Sequence, residues 1–371
     1  MHKKILYILW VILFMMAVGI AAGYFSGFFQ RERVVVPHIA PAALGSPPII
    51  STHEFPFEQS RVTISIPVNR SVYDGARNAD KSVTIFGNIS ENIWVADSYR
   101  AMVGDPTQEE LYSSLTTEFR KVKTDMGLTD DEYLELMAVY AQSFRYETVT
   151  ENPAKFPIET VVETSGDCDD KSLLLAGLLS HEGYRVALFS FGPESHMAVG
   201  IGSEDYRYKN TNYTFIETTN FSFVGVPTVS LDNGVLLQSD PIVIPIGEGS
   251  KIYHLGEETQ FIQDMNLRSE ENAKDLDQQV RDMEQDLKTR RERGVQLEQQ
   301  MASLKTSGNI GGYNSLVSEH NTLVSEYNAR LDKYHQIRAR YEQYAIVYNY
   351  IISHEYDRKG VYEFIKKNMP A

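Results

Sequence analysis

"GDCDDKSLLLAGLLSHEGYRVALFSFGPESHMAVG" runs from Gly166 to Gly200, and its reading decides the fold. Its first half is punctuated as a helix. Asp167 is a good N-cap, Asp170 stands three positions on as in a capping box, and Gly183 is the stop, so the helix covers about Cys168 to His181. The second half reads as two strands, "YRVALFSF" (184–191) and "HMAVGI" (196–201), around the loop "FGPES". "YTFIETT" (213–219) is a third strand. "VPTVSLDNGVLLQSDPIVIPI" (226–246) adds weaker strand-like pieces around an Asn233-Gly234 turn signal.

This punctuation puts the only cysteine of the chain, Cys168, at the first helical position. A thiol there lies near the positive end of the helix dipole, which favours thiolate. Asp169 and Asp170 oppose a second anion, so a cationic partner is needed. His196 opens a strand after a loop and suits that role. Glu217, in "FIETT" on the next strand, suits the acceptor that orients the imidazole. A buried, inert thiol is the other reading of Cys168.

Working outward, "DPTQEELYSSLTTEF" and "LTDDEYLELMAVYAQSF" read as helices, the second with Thr129 as N-cap. "RVTISIPV" (61–68) and "KSVTIF" (81–86) read as strands. Residues 31–58 are rich in proline and small side chains and read as an extended linker. From Ile5 to Phe29 no residue is charged, which predicts a transmembrane signal-anchor over 1–30. A cleaved signal peptide, with "GIAAG" as its site, is the alternative. The short tail with Lys3 and Lys4 predicts a cytoplasmic N-terminus and a body outside the membrane.

From Glu257 the composition turns to charged and amide residues with spaced apolar ones. Leu276, Val280, Met283, Leu287, Leu297, Met301 and Leu304 recur at steps of three and four, interrupted at Arg290 and Gly294. "TSGNIGG" (306–312) is a turn, and Tyr327, Leu331, Tyr334 and Tyr341 continue a second stripe. This predicts an antiparallel coiled-coil hairpin over 257–350, with a C-terminal tail at 351–371; a parallel homodimer is the alternative.

The 371-residue chain carries a net charge of −15, which argues against general nucleic-acid binding. It has no P-loop, dinucleotide or zinc-finger spacing. No cofactor and no metal are expected, and a single cysteine excludes an intramolecular disulfide.

"KFPIETVVETSGDCDDKSLLLAGLLSHEGYRVALFSFGPESHMAVGI" with "YTFIETT" resembles the core of the transglutaminase-like superfamily, nearest its membrane-anchored archaeal and bacterial members. The resemblance covers about 130–225 and extends weakly upstream. It implies an α+β, papain-like domain over 59–250, in which a helix bearing the nucleophile at its N-terminus packs on an antiparallel sheet. It implies Cys168 as nucleophile, His196 as base and Glu217 as third member, where the superfamily commonly has Asp. Gln142 falls where related sequences carry a Gln that can donate to an oxyanion. Asp169 stands where relatives often have Glu, and "TSGD" replaces a double-glycine stretch.

The resulting expectation is a membrane-tethered thiol enzyme that hydrolyses or transfers a protein or peptide amide, with a slight preference for a peptidase. Its expected partners are a substrate at the cell surface, the lipid bilayer through residues 5–29, and a second copy or partner protein through the hairpin. The alternative is a non-catalytic peptide-binding scaffold that assembles complexes through the hairpin.

Overall fold

The computed structural model describes residues 10–22, 32–42, 47–147, 153–228, 230 and 234–369. They form a mixed α+β structure with small, mainly antiparallel sheets. The chain divides into two compact units, Met1–Gly256 and Glu257–Ala371.

In the first unit the elements run β1 (Arg33–Val35), β2 (Ile49–Phe57), β3 (Ser60–Val68), α1 (Arg70–Arg77), β4 (Thr84–Phe86), α2 (Glu91–Val103), α3 (Glu109–Met126), α4 (Asp130–Gln142), β5 (Arg145–Tyr146), α5 (Pro157–Glu163), β6 (Ser165–Gly166), α6 (Cys168–His181), β7 (Arg185–Phe191), β8 (His196–Gly202), β9 (Tyr213–Ile216) and β10 (Ile242–Glu248). The main sheet is antiparallel in the order β10-β7-β8-β9.

Helix α6 is the centre of this unit. Leu173, Leu174, Leu175, Leu178 and Leu179 have no exposed surface. A helix apolar on every side must be enclosed, and α6 touches β7, β8 and β10 as well as α2, α3, α4 and α5. Each fully buried leucine contributes about 1.5–3 kcal/mol. On the sheet, Phe189, Phe191, Ala198, Phe215 and Leu237 form a second apolar cluster.

The caps follow the sequence. Asp167 accepts from the Asp169 and Asp170 amides, and Asp170 closes the capping box. Thr129 and Glu132 do the same for α4. Gly183 takes φ +80 after α6, a conformation open to glycine at little cost.

Two expectations are corrected. The linker predicted over 31–58 contains strand β2, paired with β3 from Ile49↔Val68 to Phe57↔Ser60. Phe55 and Phe57 are buried; in a two-stranded ribbon Pro56 needs no ladder donor, so its presence did not forbid a strand. Helix α7 (Gly256–Thr306) runs unbroken through Arg290 and Gly294, and where its apolar stripe is interrupted Arg290 donates to Glu326 at 2.6 Å. The tail at 351–371 is largely helical: α8 (Ile310–Ser353) is followed by α9 (Arg358–Asn368), which buries Val361 and Ile365.

Within the second unit α7 and α8 are antiparallel. Arg293 donates to Glu319 at 2.6 Å and Tyr334 to Glu284 at 2.7 Å, so positions rise along one helix as they fall along the other. Val280, Leu287 and Tyr334 form the dry seam. Residues 10–22 are helical. No helix among the described residues is long and apolar enough to cross a membrane; the remainder of the predicted anchor over 1–30 lies outside the described residues, as does Asn233 of the predicted turn.

Candidate active site

The site starts from the cap of α6. Gly166 precedes it, and a Cβ there would run into the Asp170 side chain, so the turn into the helix requires the missing side chain. Cys168 and Ser172 are one turn apart on the same face. Ser172 Oγ donates to the Met197 carbonyl at 3.3 Å and lies 2.9 Å from Thr218 Oγ1. This docks the first turn of α6 against the start of β8 and the segment after β9. The Met197 amide acts on the Cys168 sulfur and favours its thiolate form.

His196 and Glu217 come together as the sequence implied. Both are buried, and His196 Nε2 lies 3.2 Å from Glu217 Oε2. Glu217 Oε1 accepts from the Thr218 amide at 2.8 Å, the Thr219 amide at 2.9 Å and Thr219 Oγ1 at 2.8 Å. Thr228 donates its hydroxyl to Oε2. Burial alone would push the Glu217 carboxyl up. The His196 hydrogen bond and charge, with Thr228 and the Thr219 amide, outweigh it and hold the group down at about 2. An ionised carboxylate at Nε2 selects the tautomer with hydrogen there and leaves Nδ1 as the basic nitrogen. The ring of Phe191 stacks on His196 with centroids 6.2 Å apart, and Ser195, just before it, has φ +50.

Cys168 is buried, and its sulfur contacts Asp169 Oδ1 at 3.5 Å rather than His196. The other Asp169 oxygen accepts from Tyr99 Oη at 2.8 Å. The ligand atoms of Asp167, Cys168 and Asp169 lie within 4.8 Å of one another. Burial, then the Asp169 and Asp167 charges, push the thiol well above its ordinary range. The dipole is therefore outweighed, and in this arrangement the sulfur keeps its proton. The Cys168 backbone N–H, at the first helical position, donates to no group among the described residues, and it is free to meet an oxyanion.

Gln142 is corrected. Its Nε2 donates to the Glu217 carbonyl at 2.8 Å and the Ser222 carbonyl at 2.9 Å, so both amide hydrogens are committed and none is left for an oxyanion.

Lys171 went unnoticed in the sequence. It has no exposed surface and donates to the carbonyls of Gln142 at 3.0 Å, Phe144 at 2.9 Å and Thr219 at 2.9 Å. A signal existed: a lysine four residues into a helix that is apolar on all sides has nowhere to be but inside. Thr228 and Tyr99 had no such signal, since only the fold brings them to the site.

Comparison of the chain with protein-family models, with curated proteins and with solved structures returns no match.

Proposed function

We propose that the chain is a transglutaminase-like thiol enzyme with a papain-like core, acting on a protein or peptide amide through Cys168, His196 and Glu217. The observation that carries this reading is the buried His196–Glu217 pair, with its carboxylate held by five hydrogen bonds, beside the helix start that presents the only cysteine. Residues 5–29 would tether it to a membrane with the body outside, and the hairpin would engage a second copy or a partner protein.

In the reaction, His196 Nδ1 takes the Cys168 proton as the sulfur bonds to the amide carbon. The Cys168 N–H meets the oxyanion. The carbon–nitrogen bond then breaks, and the departing amine takes the proton from His196, leaving a thioester. Water or an amine attacks the thioester while His196 accepts its proton, the carbon–sulfur bond breaks to release the acyl product, and His196 returns the proton to the sulfur to restore the thiol. Water gives hydrolysis, which we favour; an amine gives cross-linking.

Because the sulfur rests on Asp169 with its proton, a catalytically silent peptide-binding domain is the competing reading. Treatment of the chain with a thiol-directed electrophile separates the two. Labelling of the native protein at Cys168 that His196→Ala abolishes is expected of the enzyme. A thiol that reacts only after denaturation would sink the nucleophile role.

A further inference from the structure

We propose that Lys171 and Gln142 are positioning residues: together they clamp the segment from Glu217 to Ser222 and fix the angle at which Glu217 meets His196. This rests on the reading of that pair as catalytic.

The bonds form a closed circuit. Lys171 Nζ donates to the Gln142 carbonyl, and Gln142 Nε2 donates to the Glu217 carbonyl. The Glu217 carboxylate accepts from Thr219, and the Thr219 carbonyl accepts from Lys171. Any displacement of Thr219 is passed directly to the carboxylate that holds the imidazole. The second bond from Gln142, to Ser222, pins the far end of the same segment.

The residue types suit this task. An ammonium has three hydrogens and no acceptor, and here three carbonyls from two separated segments converge on it. Two of them close the C-terminal end of α4, where a cation is favoured. The third lies outside that helix, and a helix cap alone does not account for it. An apolar side chain would fill this interior without the loss of hydration that a buried cation suffers. Burial draws the Lys171 ammonium down to about 8, while the Glu217 charge acts to raise it, so the acid site and the lysine sense one another.

The test uses the full chain with Lys171→Gln and, separately, Gln142→Leu. Tryptophan fluorescence establishes folding. Two readouts follow: the proton NMR signal of His196 Nε2–H, which Glu217 protects from exchange, and the rate of Cys168 alkylation. In a folded variant the imidazole proton should shift or exchange away, and alkylation should slow by about ten- to hundred-fold, the scale on which small misplacement is felt. Either variant folded with both readouts as in the unmodified chain would overturn the clamp. So would failure of both variants to fold, which would make the circuit a requirement of the fold instead. If Cys168 proves unreactive in the unmodified chain, the catalytic reading fails and the imidazole proton alone decides the clamp.

Discussion

Helix α6 is enclosed by a sheet on one side and helices on the other, whereas α7, at 51 residues, keeps one narrow seam dry and leaves the rest of its surface in water. The contrast extends to their charges. Around α6 the charged groups Asp170, Lys171 and Glu217 are buried, and their hydrogen bonds are made mostly to the backbone. Along α7 the ion pairs Arg290–Glu326 and Arg293–Glu319 have half-exposed partners. A charge in a dry place is costly to leave unpartnered, and one in water is cheap to lose. The enclosed unit is therefore where single substitutions should reach chemistry, and the hairpin is where they should be absorbed.

The sharpest way to break this contrast is His196→Ala. On the proposed reaction, turnover of an amide substrate should fall by about 10²–10⁴-fold, the usual contribution of a positioned base, with the thermal unfolding of the hairpin unchanged in circular dichroism. Next is the core itself. Leu174→Ala should destabilise the first unit by about 2–5 kcal/mol. Both tryptophans, Trp10 and Trp94, lie in that unit, so their fluorescence in a urea titration reads it separately.

Acidity should act on the same unit in two windows of opposite sign. Glu217 is held below its unfolded range, at about 2, so its contribution is complete above the unfolded value and is lost as pH falls toward 2. Asp170 is raised to about 7, first by burial and then by the Asp167 charge; its effect is present at low pH and is lost as pH climbs from the unfolded value through 7. Fluorescence-monitored stability against pH should show both limbs, and Glu217→Gln should flatten only the acid one. The smallest effect belongs to the hairpin: Arg290→Ala should lower its melting only slightly, and less still at high salt, as helical melting at two salt concentrations would show.

What could be read from the sequence was local. Asp167, Asp170, Thr129 and Gly183 all act within a turn of where they stand, so spacing alone revealed the start of α4 and both ends of α6. His196 and Glu217 could be paired because each opens or closes a strand adjacent to the other's. Gln142 was assigned the wrong partner, since its acceptors lie 75 and 80 residues away and nothing nearby says which way the amide turns. Strand β2 was hidden because its one proline, Pro56, and its small residues blend with the proline-rich stretch before it. Its buried phenylalanines become informative only once β3 is laid beside them.

The solitary, buried Cys168 has an analytical consequence. A chain with one thiol carries its own gauge: a reagent that reacts with the native site titrates the number of competent molecules, with no other sulfhydryl to correct for. The remaining thiol, counted after denaturation, gives the fraction in which the native fold kept the sulfur from the reagent. With an added two-electron oxidant, two copies can be linked by a disulfide only through their residues 168, because each chain has one cysteine, and the absence of that dimer would measure how completely the fold shields the sulfur.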